Sequence, residues 1–208
     1  PLTEAAAAHP VTEYGRSKQA AEGAARGYAG RVPISIVRPG VVFGERDRET
    51  LPYFQLARKG WLLAFGPRDE AISVIHVADL AHIVEVICLH GERLSPEGPP
   101  DKGVYFAAKD QTSFGELGGL LAEIYRREVR VLSAPGVLGF GAAALLELTG
   151  RMLGRSRERV DLSTVRTAAA GAWVCDPSKA LALPIKLRMT LRERLQQTAV
   201  WYREAGWL

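Results

Sequence analysis

Pro33-Ile34-Ser35-Ile36-Val37-Arg38-Pro39-Gly40 is the stretch that decides the fold. Its apolar, β-branched residues read as a short buried strand, and Pro39-Gly40 stops it. Upstream, Val11 to about Ala29 is rich in Ala with Glu and Lys and predicts a helix, punctuated by Gly30 and Pro33. Helix followed by buried strand is the beginning of an α/β pattern, and the alternation continues downstream. Residues 49–60 predict a helix ending at Gly60, Ile72–His76 a strand, and Val77–His90 a helix. On that helix Val77, Leu80, Ala81, Val84, Ile87 and Cys88 are expected to share the apolar face. A Pro/Gly-rich loop runs from Glu92 to Lys102, and Val104–Ala107 predicts the next strand. Ser113 and Glu116 form a capping box for a helix through Tyr125, and Val129–Leu132 alternates as a strand does. Apolar helices are expected to about Leu153. Thr190 and Glu193 form a second capping box for a last helix to Glu204, ended by Gly206.

The totals fit a globular chain. There are 208 residues, 47% hydrophobic and 24% charged, enough for one good core or two small ones. The net charge of +4 is spread along the chain, in pieces such as Arg126-Arg127 and Arg155-Ser156-Arg157, so a nucleic-acid partner is not expected. The two cysteines offer no disulfide framework and no metal-ligand spacing, which points to a reducing, cytoplasmic setting without a metal. Cys88 lies in the apolar run Ile87-Cys88-Leu89 and is expected to be a packed thiol. The longest apolar stretch, Val137 to Leu148, carries Glu147 and is too short to span a bilayer. It reads as a buried helix, with contact to a membrane surface or a greasy substrate as the other reading. The chain opens at Pro1 with no initiator Met, and is therefore expected to be a piece of a longer protein.

Tyr14-Gly15-Arg16-Ser17-Lys18 places a phenol and an ammonium at i and i+4, on one helix face. A phenol, which ionises near pH ~10, is a poor base at neutral pH, and a neighbouring cation favours the phenolate. Such a pair can take a proton from an alcohol as hydride leaves its carbon, or protonate a carbonyl oxygen being reduced. Alone, the pentapeptide reads rather as an exposed Tyr beside a solvated Lys.

Its neighbourhood changes that balance. After the helix come Arg38-Pro39-Gly40-Val41-Val42-Phe43-Gly44, then Phe65-Gly66, then Ile75-His76-Val77-Ala78-Asp79-Leu80-Ala81, and at the end Trp201-Tyr202-Arg203-Glu204-Ala205-Gly206-Trp207-Leu208. In this order and spacing, over nearly the whole chain, they resemble the extended short-chain dehydrogenase/reductase family, also called NAD-dependent epimerase/dehydratases. The resemblance implies the C-terminal part of a Rossmann-like doubly wound parallel sheet plus a smaller, mostly helical substrate lobe. Residues 1–103 would supply later strands and helices of the dinucleotide-binding domain. Residues 104–208 would mostly build the substrate lobe, with crossings back to the sheet. Tyr14 would be the catalytic acid/base and Lys18 its partner, also holding the ribose. Pro39, Gly40, Val41 and Val42 would pack on the nicotinamide. His76 and Asp79 would enter the next helix, Asp79 as a helix-start residue.

The implied cofactor is NAD or NADP in the parent protein. The family's Gly-rich loop and catalytic Ser or Thr fall outside these residues, so the piece alone is expected not to bind cofactor tightly, not to turn over, and to self-associate or form a homo-oligomer. Gly136-Val137-Leu138-Gly139-Phe140-Gly141 imitates a phosphate loop, but its glycine spacing and surroundings are wrong for one. Nucleotide-sugar members usually carry Asn after the Arg of the strand-end motif and an Arg just before the His-Val strand. Here those positions are Pro39 and Ile72, and a pyrophosphate without charged partners binds poorly. Leu145, Leu146, Leu148, Met152 and Leu153 suit a hydrophobic substrate. Trp173-Val174-Cys175-Asp176-Pro177-Ser178-Lys179 is similar to 3β-hydroxysteroid dehydrogenase-like and dihydroflavonol reductase-like members. The leading expectation is hydride transfer between a nicotinamide and an apolar alcohol or ketone. A sugar epimerase or dehydratase, and a non-catalytic binding relative, remain as alternatives.

Overall fold

A computed structural model of the chain describes residues 1–134 and 174–208. The stretch Val137–Leu148, the loop-like run Gly136–Gly141, the apolar helices to Leu153 and Trp173 lie outside the described residues.

Helix α1 spans Glu13–Gly27, two residues shorter at each end than Val11–Ala29. Thr12 remains extended and its hydroxyl accepts the Gly15 N–H at 3.1 Å, so the cap sets the start. Strand β1 (Ile36–Pro39) and strand β2 (Val41–Phe43) follow, then α2 (Leu51–Arg58), β3 (Trp61–Phe65), β4 (Ile72–His76) and α3 (Val77–His90). Next come β5 (Val104–Ala107), β6 (Asp110–Thr112), α4 (Phe114–Tyr125) and β7 (Arg130–Ala134). Beyond the undescribed residues lie the short α5 (Ser178–Leu181) and α6 (Leu191–Glu204). Both capping boxes are present, with Ser113–Glu116 opening α4 and Thr190–Glu193 opening α6.

Three strand pairings are parallel: β1 with β5, β2 with β4, and β3 with β7; β6 joins β4 antiparallel. The run from Ile36 to Phe43 changes partner midway. Its first half pairs with β5, its second with β4, and Gly40 sits at the switch, donating its N–H to Ala107 O at 3.0 Å. There is no room for a side chain at this point, because a Cβ on Gly40 would stand 2.6 Å from Ser73 O. Gly40→Ala is therefore expected to destabilise the fold by ~1–3 kcal/mol, read as a lower urea midpoint. An unchanged midpoint would show that the Ser73 backbone yields freely.

Two apolar clusters flank this switch. In one, Phe43, Phe54, Leu62, Val74, Leu121, Leu195 and Tyr202 bring together α2, β3, α4 and α6. In the other, Ile75, Ile83, Ile87, Tyr105, Ala107 and Ala180 join β4, α3, β5 and α5. The short α5 therefore packs on the β5 side, and α6 on the other cluster. Leu2 donates to Val174 O and accepts from Asp176 N, both at 2.8 Å, and Cys175 N donates to Ser73 Oγ at 3.1 Å.

Two expectations about α3 are corrected. Its buried residues are Asp79, Ile83, Val86 and Ile87, whereas Val77 and Val84 are 37% and 39% exposed. The helix is apolar on nearly every side, so two phases fit its periodicity, and packing on β4 selected the one that turns Asp79 inward. In that phase Cys88 faces solvent and is not a packed thiol.

Candidate active site

The ridge of α1 at i, i+4 and i+8 carries Tyr14, Lys18 and Glu22. Lys18 Nζ lies 5.2 Å from the centre of the Tyr14 ring, and Tyr14 is 64% exposed. No residue of α1 is buried. What holds the ridge in place is a two-pronged ion pair from β1. Arg38 Nε donates to Glu22 Oε1 at 2.8 Å and Arg38 Nη2 to Glu22 Oε2 at 2.6 Å, with both side chains 24% exposed. Paired donors on a planar guanidinium fix direction as well as distance. Arg38 immediately precedes Pro39, so this contact ties the Tyr14–Lys18 ridge to the strand end bearing Pro39, Gly40, Val41 and Val42.

The segment after β2 is fastened from the opposite side by α6. Gly44 has a φ of +146°, and a Cβ there would meet Val77 Cγ1 at 2.5 Å. Tyr202 is fully buried, and its hydroxyl donates to Asp47 O at 2.6 Å, with Gly44 O at 3.2 Å. Burial pushes its pKa up to about 12, so it stays a neutral donor. Glu45 accepts from Gln197 Nε2 at 2.6 Å, and Gln197 Oε1 accepts from Arg194 Nη1 at 2.8 Å.

Arg194 then grips Asp79 with two nitrogens, and Lys109 Nζ lies 3.5 Å from Asp79 Oδ2. Asp79 is only 3% exposed. Burial opposes its ionisation, but Arg194 and Lys109 outweigh that and hold the carboxyl below its usual range. Asp79 lies in the first turn of α3, as expected, but the cap itself is His76, whose Nδ1 accepts the Ala78 N–H at 3.2 Å. Asp79 is thus an ion-pair centre between α3 and α6. The sequence offered no signal for this, because its partners lie far along the chain.

That hydrogen bond leaves the His76 proton on Nε2, which faces Glu45 Oε2 at 3.2 Å. Burial lowers the His76 pKa below 6.5, with Glu45 pulling the other way. The unfolded chain then binds the proton more readily than the folded one. Its stabilising contribution is full above pH 6.5 and is lost as pH falls below that value towards the folded pKa. His76→Asn, which keeps a capping side chain, is expected to flatten the fall of stability between pH 7 and 5, about the range where His titrates. Parallel urea midpoints across that range in both proteins would contradict it.

Among the described residues no cluster of His, Cys, Asp and Glu has the makings of a metal site, and no helix is long and apolar enough to cross a membrane.

Comparison with known proteins adds relatives to this geometry. An NAD-binding family model described as "Male sterility protein" matches residues 2–78. A ceramide reductase from Caulobacter vibrioides is 29% identical over 208 residues, covering 95% of this chain and 59% of the relative. Among solved structures, UDP-glucose 4-epimerase from Thermotoga maritima, with UDP-glucose, superposes with a TM-score of 0.66 at 17% identity, covering 99% of this chain and 58% of that one. UDP-glucuronic acid 4-epimerase from Bacillus cereus, in complex with NAD, gives 0.65 at 16% identity, covering 98% and 56%. At these identities the structures show the fold, an α/β architecture of the Rossmann-like epimerase type. The chain spans little more than half the length of these relatives.

Proposed function

Starting from the extended short-chain dehydrogenase/reductase kinship that these matches support, we propose that the protein is an NAD(P)-dependent reductase of an apolar, long-chain carbonyl compound. The observation that carries this reading is the Tyr14–Lys18 ridge, anchored by Arg38 and Glu22 to the strand end beside it. When bound, the nicotinamide supplies or accepts the hydride. The residues present suit its nicotinamide and ribose end. Tyr14 is open to solvent rather than packed, and Lys18 adds an ammonium with three donors beside it. Tyr14 Oη delivers a proton to the carbonyl oxygen in reduction and takes it back in oxidation. Lys18 stabilises the phenolate and holds ribose hydroxyls. The backbone of Pro39, Gly40, Val41 and Val42 orients the nicotinamide, at the carboxyl end of a parallel strand where the sheet changes partners.

The substrate class rests on the ceramide reductase relative and on Ile72. That residue occupies the position where a pyrophosphate-binding Arg is expected in nucleotide-sugar enzymes, and here it is 8% exposed within the first apolar cluster. The intact protein is expected to oxidise NADH or NADPH when given a long-chain ketone. Conversion of UDP-glucose to its epimer, with no reduction of the ketone, would favour the epimerase reading instead.

A further inference from the structure

The β3–β7 ribbon has two unlike faces. Side chains alternate along each strand, and in a parallel pair register partners share a face. Leu62 and its partner Val131 face the first apolar cluster, where Leu62 is 1% exposed and a Cβ on Gly118 of α4 would meet Val131 Cγ2 at 2.5 Å. The alternate residues Trp61, Leu63 and Leu132 belong to the other face. There Trp61 is 41% and Leu132 47% exposed. Arg130 is the register partner of Trp61, with its guanidinium 6.0 Å from the indole ring centre. Lys59, Arg126 and Arg127, all exposed, stand in the turns that lead into the two strands. Glu128 is the one carboxylate in those turns and pairs with Arg130 at 3.3 Å.

An indole and two leucines bordered at one end by cations match an interface that is apolar inside and anionic at its surface. Trp prefers the headgroup level of a bilayer, Leu the acyl boundary, and Lys and Arg the lipid phosphates. We propose that this ribbon face docks the protein on membranes containing anionic phospholipid. A nucleic acid would satisfy the cations but leave Leu63 and Leu132 without a partner of their own kind. Docking needs neither substrate nor turnover, so it stands or falls separately from the reductase reading.

The test mixes the full-length protein, without cofactor, with vesicles of phosphatidylcholine alone or of phosphatidylcholine with phosphatidylglycerol. Sedimentation is expected with the mixed vesicles at low salt, little with the neutral ones, and release at high salt. Lys59→Glu/Arg126→Glu is expected to weaken binding ~10-fold or more, with an unchanged melting temperature. Quenching of tryptophan fluorescence by brominated lipid is expected in the wild type and reduced in Trp61→Phe, a variant mild enough to keep the fold. Equal binding to both vesicle types, undiminished binding by the charge-reversed variant, or displacement from vesicles by a stoichiometric amount of single-stranded nucleic acid would each overturn the proposal.

Discussion

On the proposed reductase reading, Tyr14→Phe in the intact protein is expected to lower turnover by a factor of about 10²–10⁴, the range for losing a positioned proton donor. The dissociation constant for NAD(P) should stay near that of the wild type. Phe keeps the ring and the helix, and Tyr14 is already largely exposed, so little packing is lost. What disappears is the hydroxyl of a ring beside which Lys18 Nζ lies, 5.2 Å from the ring centre. Lys18→Met should harm both measurements, since on the same reading one ammonium serves the phenol and the ribose. Single-turnover rates with titrated cofactor separate the two effects. If Tyr14→Phe retains most of its rate, another group delivers the proton and the role assigned to Tyr14 is wrong.

The largest loss of stability is expected at a residue outside the chemistry. Asp79→Ala would leave Arg194 and Lys109 facing one another without their carboxylate, in a place where Asp79 is 3% exposed. Removing one partner from a buried ion pair costs ~3–5 kcal/mol, because the remaining charge stays desolvated. That is a large share of the ~5–15 kcal/mol that holds an ordinary domain together. The same pair gives an acid dependence. Asp79 titrates below 3.8 in the folded state, so its contribution is complete above that pH and vanishes as pH falls through the depressed value. Urea denaturation of the wild type and Asp79→Ala at neutral pH measures the difference. A change under about 1 kcal/mol, the worth of an exposed pair, would show that solvent reaches these charges and does the work assigned to them.

The sequence by itself determined the features whose causes are local. Ser113 with Glu116 and Thr190 with Glu193 set helix starts, since each cap lies three residues from its partner. The strand Ile72–His76 and the helix Val77–His90 have the bounds expected of them, as a β-branched run passes straight into a periodic one. The Tyr14–Lys18 spacing is also local, and one turn of helix brings the two together. Other features depended on partners far along the chain. Trp61–Phe65 became β3 by pairing with Arg130–Ala134, and the polar Asp110–Thr112 became β6 by pairing with β4. The first is an apolar run between Gly60 and Gly66-Pro67, a local strand signal that the expected elements omit, whereas Asp110–Thr112 carries none without its neighbour. The phase of α3 was undecided while both faces were apolar, and packing against β4 and α6 resolved it in favour of Asp79. Arg38 reaches Glu22 sixteen residues away, and Tyr202 reaches the Asp47 carbonyl across 155. Periodicity reports which side chains share a surface, but only the folded chain decides which surfaces meet, because that choice is made by burying area and pairing charge between segments the sequence holds apart.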